Sequence, residues 1–194
     1  MTDFKGTIGR TLADSEPHFE ERPHPGNGAP NVVFVLLDDT GFAQFGCYGS
    51  DIDTPNIDAL AAGGVQFTNF HVTPVCSPTR AALLTGRSQH AVGMRGLADG
   101  MAGVANTVEH ISNAAGTIAE VLRDEGYATL CAGKWHLMPG THISAAGPFD
   151  QWPLGRGFER FYGFLPGETD QFNPELVRDN TYVDPPTTPE EGYH

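Results

Sequence analysis

The chain has 194 residues, enough for one domain with a buried core. Its 11 Lys+Arg against 24 Asp+Glu leave a formal charge of −13, which argues against a nucleic-acid or anionic-membrane surface. No apolar run reaches bilayer length, residues 1–30 do not read as a basic, cleavable leader, and the three cysteines, Cys47, Cys76 and Cys131, do not suggest a disulfide framework, so a cytoplasmic setting is expected.

Taken in chain order, residues 1–30 carry Pro17, Pro23, Pro25 and Pro30 among many charges and predict an irregular arm. Val32 to Leu37 is a continuous β-branched and apolar run, which predicts a strand buried on both faces of a mainly parallel sheet. Asp38-Asp39-Thr40-Gly41 ends it. Thr54 as N-cap, Pro55 at the first helical position and Gly63 at the end predict a short helix. Val65 to Val72 alternates enough to predict a strand leading to Cys76, and a helix is expected to follow with Ser77 as its N-cap and Pro78 in its first turn. Gly93 to Gly116 reads as a long surface excursion near the site. Thr117 and Glu120 have capping-box spacing for a helix ending at Gly126, and Tyr127 to Ala132 predicts a strand. Few regular elements are expected after Gly133. The alternation of strand and helix points to an α/β layered domain.

Three pairs of residues carry chemistry. Cys76 stands at a helix mouth, where free N–H groups and the positive end of the dipole attract an oxyanion, and Arg80 follows about one turn later on the same face. The plain alternative is a structural cysteine beside a solvated arginine. Asp38 and Asp39 lie at the carboxyl end of the first predicted strand, where two adjacent carboxylates call for a positive partner; a hard cation, Ca²⁺ or Mg²⁺, fits oxygen donors better than zinc. The alternative is an Asp pair serving turn chemistry. Lys134 and His136, two apart in extended chain, can face one site while Trp135 packs the other way.

Cys76-Ser77-Pro78-Thr79-Arg80, continued to Leu84-Thr85-Gly86-Arg87, resembles the C-x-P-x-R…L-T-G-R signature of the type I sulfatases. Leu37-Asp38-Asp39-Thr40-Gly41-Phe42 before Cys47-Tyr48-Gly49 is similar to the way such chains begin, and Gly133-Lys134-Trp135-His136-Leu137 resembles their second signature. Gly155 to Phe164 is a weaker echo of a further aromatic run, expected to pack beneath the site, with Cys47 and Cys131 as core thiols.

The resemblance implies an alkaline phosphatase-like α/β layered domain with a central, mainly parallel sheet between helices, incomplete at the C-terminus, in which residues 31–194 are the amino-terminal part of the catalytic domain. It implies oxidation of Cys76 to formylglycine by a formylglycine-generating enzyme. It also implies a divalent cation, Ca²⁺ or Mg²⁺, held by Asp38, Asp39 and the modified Cys76, with Arg80, Lys134 and His136 catalytic. The expected substrate is a small sulfate ester, an aryl sulfate first, with no nucleic-acid or membrane partner. Sulfatases of this type run well beyond this length and draw an Asp-Asn ligand pair, a histidine and a lysine from their later part. None is found after His136, so a fragment is expected. A phosphonate or phosphate ester hydrolase of the same superfamily is the nearest rival, with Pro78 in place of alanine favouring the sulfatase. A non-catalytic remnant that binds through an unpaired sheet edge is the rival of another kind.

Overall fold

The computed structural model describes residues 4–21, 23–100, 104 and 107–191. Helix α1 spans Pro55–Gly63, α2 Cys76–Thr85 and α3 Ile118–Asp124; strand β1 spans Leu130–Lys134, β2 Arg160–Phe164, β3 Leu176–Arg178 and β4 Thr181–Val183. The four strands form one sheet in the order β1-β2-β3-β4, with β1 and β2 parallel and the other pairs antiparallel. Helices and a mixed open sheet give the α/β class that the strand and helix rhythm predicts.

Local sequence signals explain the helices. At α3 the Thr117 hydroxyl accepts from the Glu120 amide at 3.1 Å while Glu120 accepts from the Thr117 amide at 2.6 Å, the reciprocal capping box that the spacing predicts. Helix α1 starts at Pro55, but Thr54 does not cap it: its hydroxyl donates to Asp58 at 2.9 Å and accepts from the Gly46 amide at 2.8 Å. Helix α2 begins two residues earlier than expected, with Val75 as N-cap and Cys76 as its first residue. Ser77 is not the cap, because it is drawn inward: fully buried, its hydroxyl accepts from the Ala98 amide at 3.2 Å.

Among the described residues, two predicted strands are absent. Val32 to Leu37 forms no ladder, and Val33 and Val35 are 81% and 78% exposed where burial on both faces was expected. Val65 to Val72 is likewise unpaired, with Phe67 and Phe70 exposed. A strand is made by its neighbour as much as by its own residues, and no described strand lies beside either segment. The third predicted strand exists but lies later, at Leu130–Lys134, because the Tyr127 amide bonds back to Leu122 and closes α3. Three strands follow Gly133 where few regular elements were expected.

The core lies between this sheet and the segments folded over it, built on Trp135, Trp152, Phe161, Leu137, Met138 and Met94. Both indoles are satisfied: Trp135 Nε1 donates to the Gln151 carbonyl at 2.9 Å and Trp152 Nε1 to the His142 carbonyl at 3.1 Å. The Gly93–Gly116 stretch is more than a surface excursion, since Met94, Ala98, Ile111 and Ala115 are buried in or against this core. Cys131 packs on the core, and burial pushes its thiol up to about 11 against the opposing charge of Arg80. Cys47 is half-buried in a turn outside it.

Gly163 sits opposite Gly133 in the parallel pair, where a Cβ would collide with the Gly133 carbonyl oxygen. Gly163→Ala is expected to force the strands apart and cost about 2 kcal/mol, the range of core overpacking, read as a lower urea midpoint with an unchanged m-value.

Candidate active site

The turn that carries Asp38 and Asp39 and the approach to α2 form the two walls of a cleft of about 460 Å³, with Cys76 and Arg80 in its lining. The end of β1 reaches the same place from the sheet. Lys134 Nζ donates to Asp38 Oδ2 at 2.7 Å, Arg80 Nη2 lies 3.4 Å from Asp38 Oδ1, and Arg80 Nη1 donates to the Lys134 carbonyl. Sequence separations of 96 between Asp38 and Lys134, and of 54 between Arg80 and Lys134, are thus closed by one charged cluster. Both cations have side chains no more than a tenth exposed, so the cluster holds two partly desolvated positive charges around one carboxylate. Burial raises the Asp38 pKa, but the Lys134 hydrogen bond and the charges of Lys134 and Arg80 outweigh it and hold the carboxyl below its ordinary 3.8.

Lys134 and His136 do converge on one side while Trp135 is buried on the other, as the alternation in extended chain predicts. The ladder continues past β1, since the Trp135 amide bonds to Phe164 and the His136 amide to Leu165 at 2.9 Å. At His136 the chain turns into the left-handed region, φ 53°, and Nδ1 comes to 3.1 Å from Cys76 Sγ. Gly167 lies against the Cε1 edge of the ring, close enough that a Cβ there would collide with it. The second ring nitrogen, Nε2, is 3.2 Å from Asp99 Oδ1. Asp99 is the one site residue that sequence reasoning missed: it sits in a glycine-rich loop with no motif around it, and only the expectation that this loop lies near the site pointed there.

Burial pushes the His136 imidazole below its ordinary 6.5, with the Asp99 hydrogen bond and charge opposing and the Lys134 and Arg80 charges reinforcing. A base whose folded-state pKa is depressed binds fewer protons folded than unfolded, so its contribution is present above 6.5 and is lost as pH falls through the folded-state value. Stability is therefore expected to decline below 6.5 with a slope of at most about 1.4 kcal/mol per pH unit from this one group. His136→Gln should flatten that part of the curve in urea titrations run from pH 8 to 5, whereas an unchanged slope would exclude His136 as its source.

A profile of the sulfatase family matches residues 30–191. The chain belongs to the sulfatase family. Among its relatives, human arylsulfatase A is 42% identical over 166 residues, covering 84% of this chain and 30% of its own length. Human steryl-sulfatase is 38% identical over 185 residues, covering 86% and 29%, and the arylsulfatase of Klebsiella aerogenes is 35% identical over 151 residues, covering 76% and 30%. Among solved structures, a Bacteroides thetaiotaomicron protein studied in the metabolism of multiple glycosaminoglycans superposes with TM-score 0.61 at 33% identity, covering 79% of this chain and 32% of its own. The crystal structure of Ps i-CgsB gives TM-score 0.58 at 37% identity, covering 70% and 28%. This sulfatase-family chain thus spans about 30% of the length of the curated relatives it matches.

Among the described residues, no group of three His, Cys, Asp or Glu side chains is arranged to hold a metal ion. The donors at the cleft fit a hard cation in kind and fall short in number. Asp38 and Asp39 offer oxygens, and Asp39 makes no hydrogen bond or ion pair with any described residue. The Cys76 thiol is a soft donor, suited to Ca²⁺ or Mg²⁺ only if an oxygen replaces its sulfur. No helix among the described residues is long and apolar enough to cross a membrane.

Proposed function

We propose that residues 31–194 are the amino-terminal part of the catalytic domain of a sulfuric ester hydrolase acting on small sulfate esters, with aryl sulfates the first class to test. The observation that carries this reading is that Asp38, Cys76 and Arg80 line one cleft and that Lys134 and His136 reach them by direct contacts, from three distant stretches of a sulfatase-family chain. Oxidation of Cys76 to formylglycine by a formylglycine-generating enzyme, with a divalent cation on Asp38 and Asp39, would supply an oxygen nucleophile for the ester sulfur and an electrophilic partner for its oxygens.

The chain's own residues then have definable tasks. Arg80, anchored on the Lys134 carbonyl and Asp38, fixes a positive charge about one turn along α2 from residue 76, where an oxyanion would gather negative charge. Lys134 supplies a point charge that Asp38 holds at 2.7 Å; release toward a sulfate oxygen would need only rotation about its flexible stem. His136 Nδ1, 3.1 Å from the side chain at position 76, is placed to take or return a proton there. The three unpaired cysteines agree with a reducing compartment, and a cytoplasmic location is proposed on that basis.

The experiment is co-expression with a formylglycine-generating enzyme, mass spectrometry of the Cys76 peptide, and assay of anion release from matched aryl sulfate, phosphate and phosphonate esters. An aldehyde at position 76 with sulfate release fastest supports the proposal. Faster phosphate or phosphonate release would move the assignment to the neighbouring hydrolases of the superfamily. A thiol left intact in the protein's own host, with no release from any ester, would identify a non-catalytic remnant, a role for which the exposed apolar segment from Val32 to Leu37 offers a surface.

A further inference from the structure

The side chains of Cys76, His136 and Asp99 form a chain of two contacts. Sγ of Cys76 is 3.1 Å from His136 Nδ1, and His136 Nε2 is 3.2 Å from Asp99 Oδ1. A neutral imidazole carries one N–H, and a carboxylate can only accept. The proton therefore belongs on Nε2, where Asp99 receives it, and Nδ1 is left bare toward residue 76. We propose that Asp99 is a positioning residue that fixes the tautomer and orientation of His136, so that Nδ1 serves as the proton acceptor for whatever group position 76 carries. Its part in ester cleavage rests on the function proposed above; its effect on the histidine does not.

The backbone beside Asp99 is tied down, while its side chain is 39% exposed and meets His136 at the edge of the site. Its neighbour Ala98 is fully buried and donates its amide to the buried Ser77 hydroxyl, which ties the loop to the first turn of α2 beside Cys76. A Cβ added at Gly140 would stand 3.7 Å from the Asp99 Cβ, an ordinary van der Waals contact, so the turn at Gly140 lies alongside this side chain. His136 is 4% exposed, so water has little access to either ring nitrogen and an alternative partner for Nε2 is scarce. Gly167 backs the Cε1 edge of the ring between the two nitrogens and leaves the imidazole little room to turn. A buried histidine whose far nitrogen is held by a carboxylate is the arrangement by which enzymes keep an imidazole aimed at a nucleophile.

The test separates this claim from the sulfatase assignment. Nitrogen-15 NMR of imidazole-labelled chain, with His136→Gln used to assign the signal, should show the proton on Nε2 in the unmodified protein. Alkylation by iodoacetamide, followed as the Cys76 peptide relative to the Cys47 peptide, should slow about tenfold in Asp99→Asn and Asp99→Ala, because the thiolate is the reactive form and His136 is then no longer held as its proton acceptor. Asp99→Glu should recover part of the rate. In the formylglycine form, Asp99→Asn should lower kcat about 100-fold with little change in KM, the size of a general-base contribution. If no form releases sulfate, the functional proposal fails while the tautomer and alkylation results still decide this one. A proton on Nδ1 in the unmodified chain would overturn it. So would Asp99 variants that lose thermal stability yet keep the ratio of Cys76 to Cys47 alkylation. Should every variant fail to fold, the NMR measurement on the unmodified chain decides alone.

Discussion

Arg156→Ala should destabilise the chain by about 3–5 kcal/mol, the cost of removing one partner from a buried charged network. The guanidinium is 3% exposed and reaches across the core: Nη2 donates to the Ala115 carbonyl at 2.7 Å, and Nη1 donates to Asn113 Oδ1 at 2.9 Å and lies 3.5 Å from the Ile111 carbonyl. Asn113 also accepts from Gln151 at 2.7 Å, and the Arg156 carbonyl accepts from the Thr117 hydroxyl, so the same residue ties the 111–115 loop to the start of α3. Truncation would leave buried acceptors without donors and a cavity beside Ile111. The urea midpoint should fall with the m-value unchanged. Arg160→Ala is the control within the same run of sequence. That side chain is 72% exposed and pairs with Asp179 at 2.8 Å, and its loss should change stability by a small fraction of the Arg156 effect. Equal losses for the two arginines would refute the idea that the buried network, not charge alone, supports this part of the fold.

This contrast also shows where sequence reasoning stops. The spacing of Thr117 and Glu120 contains the capping box entire, because both partners lie within one turn; α3 was legible for that reason. Arg156 and Arg160 look alike in the aromatic run from Gly155 to Phe164, and only the fold makes one a core residue. The strand through Gly163 was hidden because glycine is depleted in strands, whereas here its missing Cβ is what lets the Gly133 carbonyl approach. Val32 to Leu37 erred the other way: its composition says strand, but pairing is a relation between segments and no described segment supplies the partner. At the candidate site, Asp38, Asp39, Cys76, Arg80, Lys134 and His136 could be singled out from sequence because each belongs to a short motif. The direct pairing of Lys134 with Asp38, and the place of Asp99 behind His136, depend on contacts between residues 96 and 37 positions apart. Single-sequence patterns carry no trace of such contacts.

The cluster around Asp38 makes a second large effect expected. In the formylglycine form, Arg80→Lys should reduce kcat/KM for an aryl sulfate about 100- to 1,000-fold, the range seen when one preorganised donor to a developing oxyanion is lost. Conserving the charge does not conserve the fork. Arg80 divides its two terminal nitrogens between the Lys134 carbonyl and Asp38 Oδ1, and one ammonium at the same Cβ cannot hold both. Two consequences follow from the geometry. The Lys134 carbonyl loses its donor at the point where β1 gives way to the His136 turn, so the aim of His136 on residue 76 loosens. Asp38 is left to Lys134 alone, which binds that lysine more firmly to the carboxylate and away from an incoming sulfate. The loss should therefore appear in kcat more than in KM, and thermal stability should fall much less than in Arg156→Ala, because Lys134 still neutralises Asp38. A fall confined to KM would mean that Arg80 holds the bound ester equally before and during reaction. Retention of full activity would show that the oxyanion is stabilised elsewhere, and that the convergence of Arg80 with Cys76 is architectural.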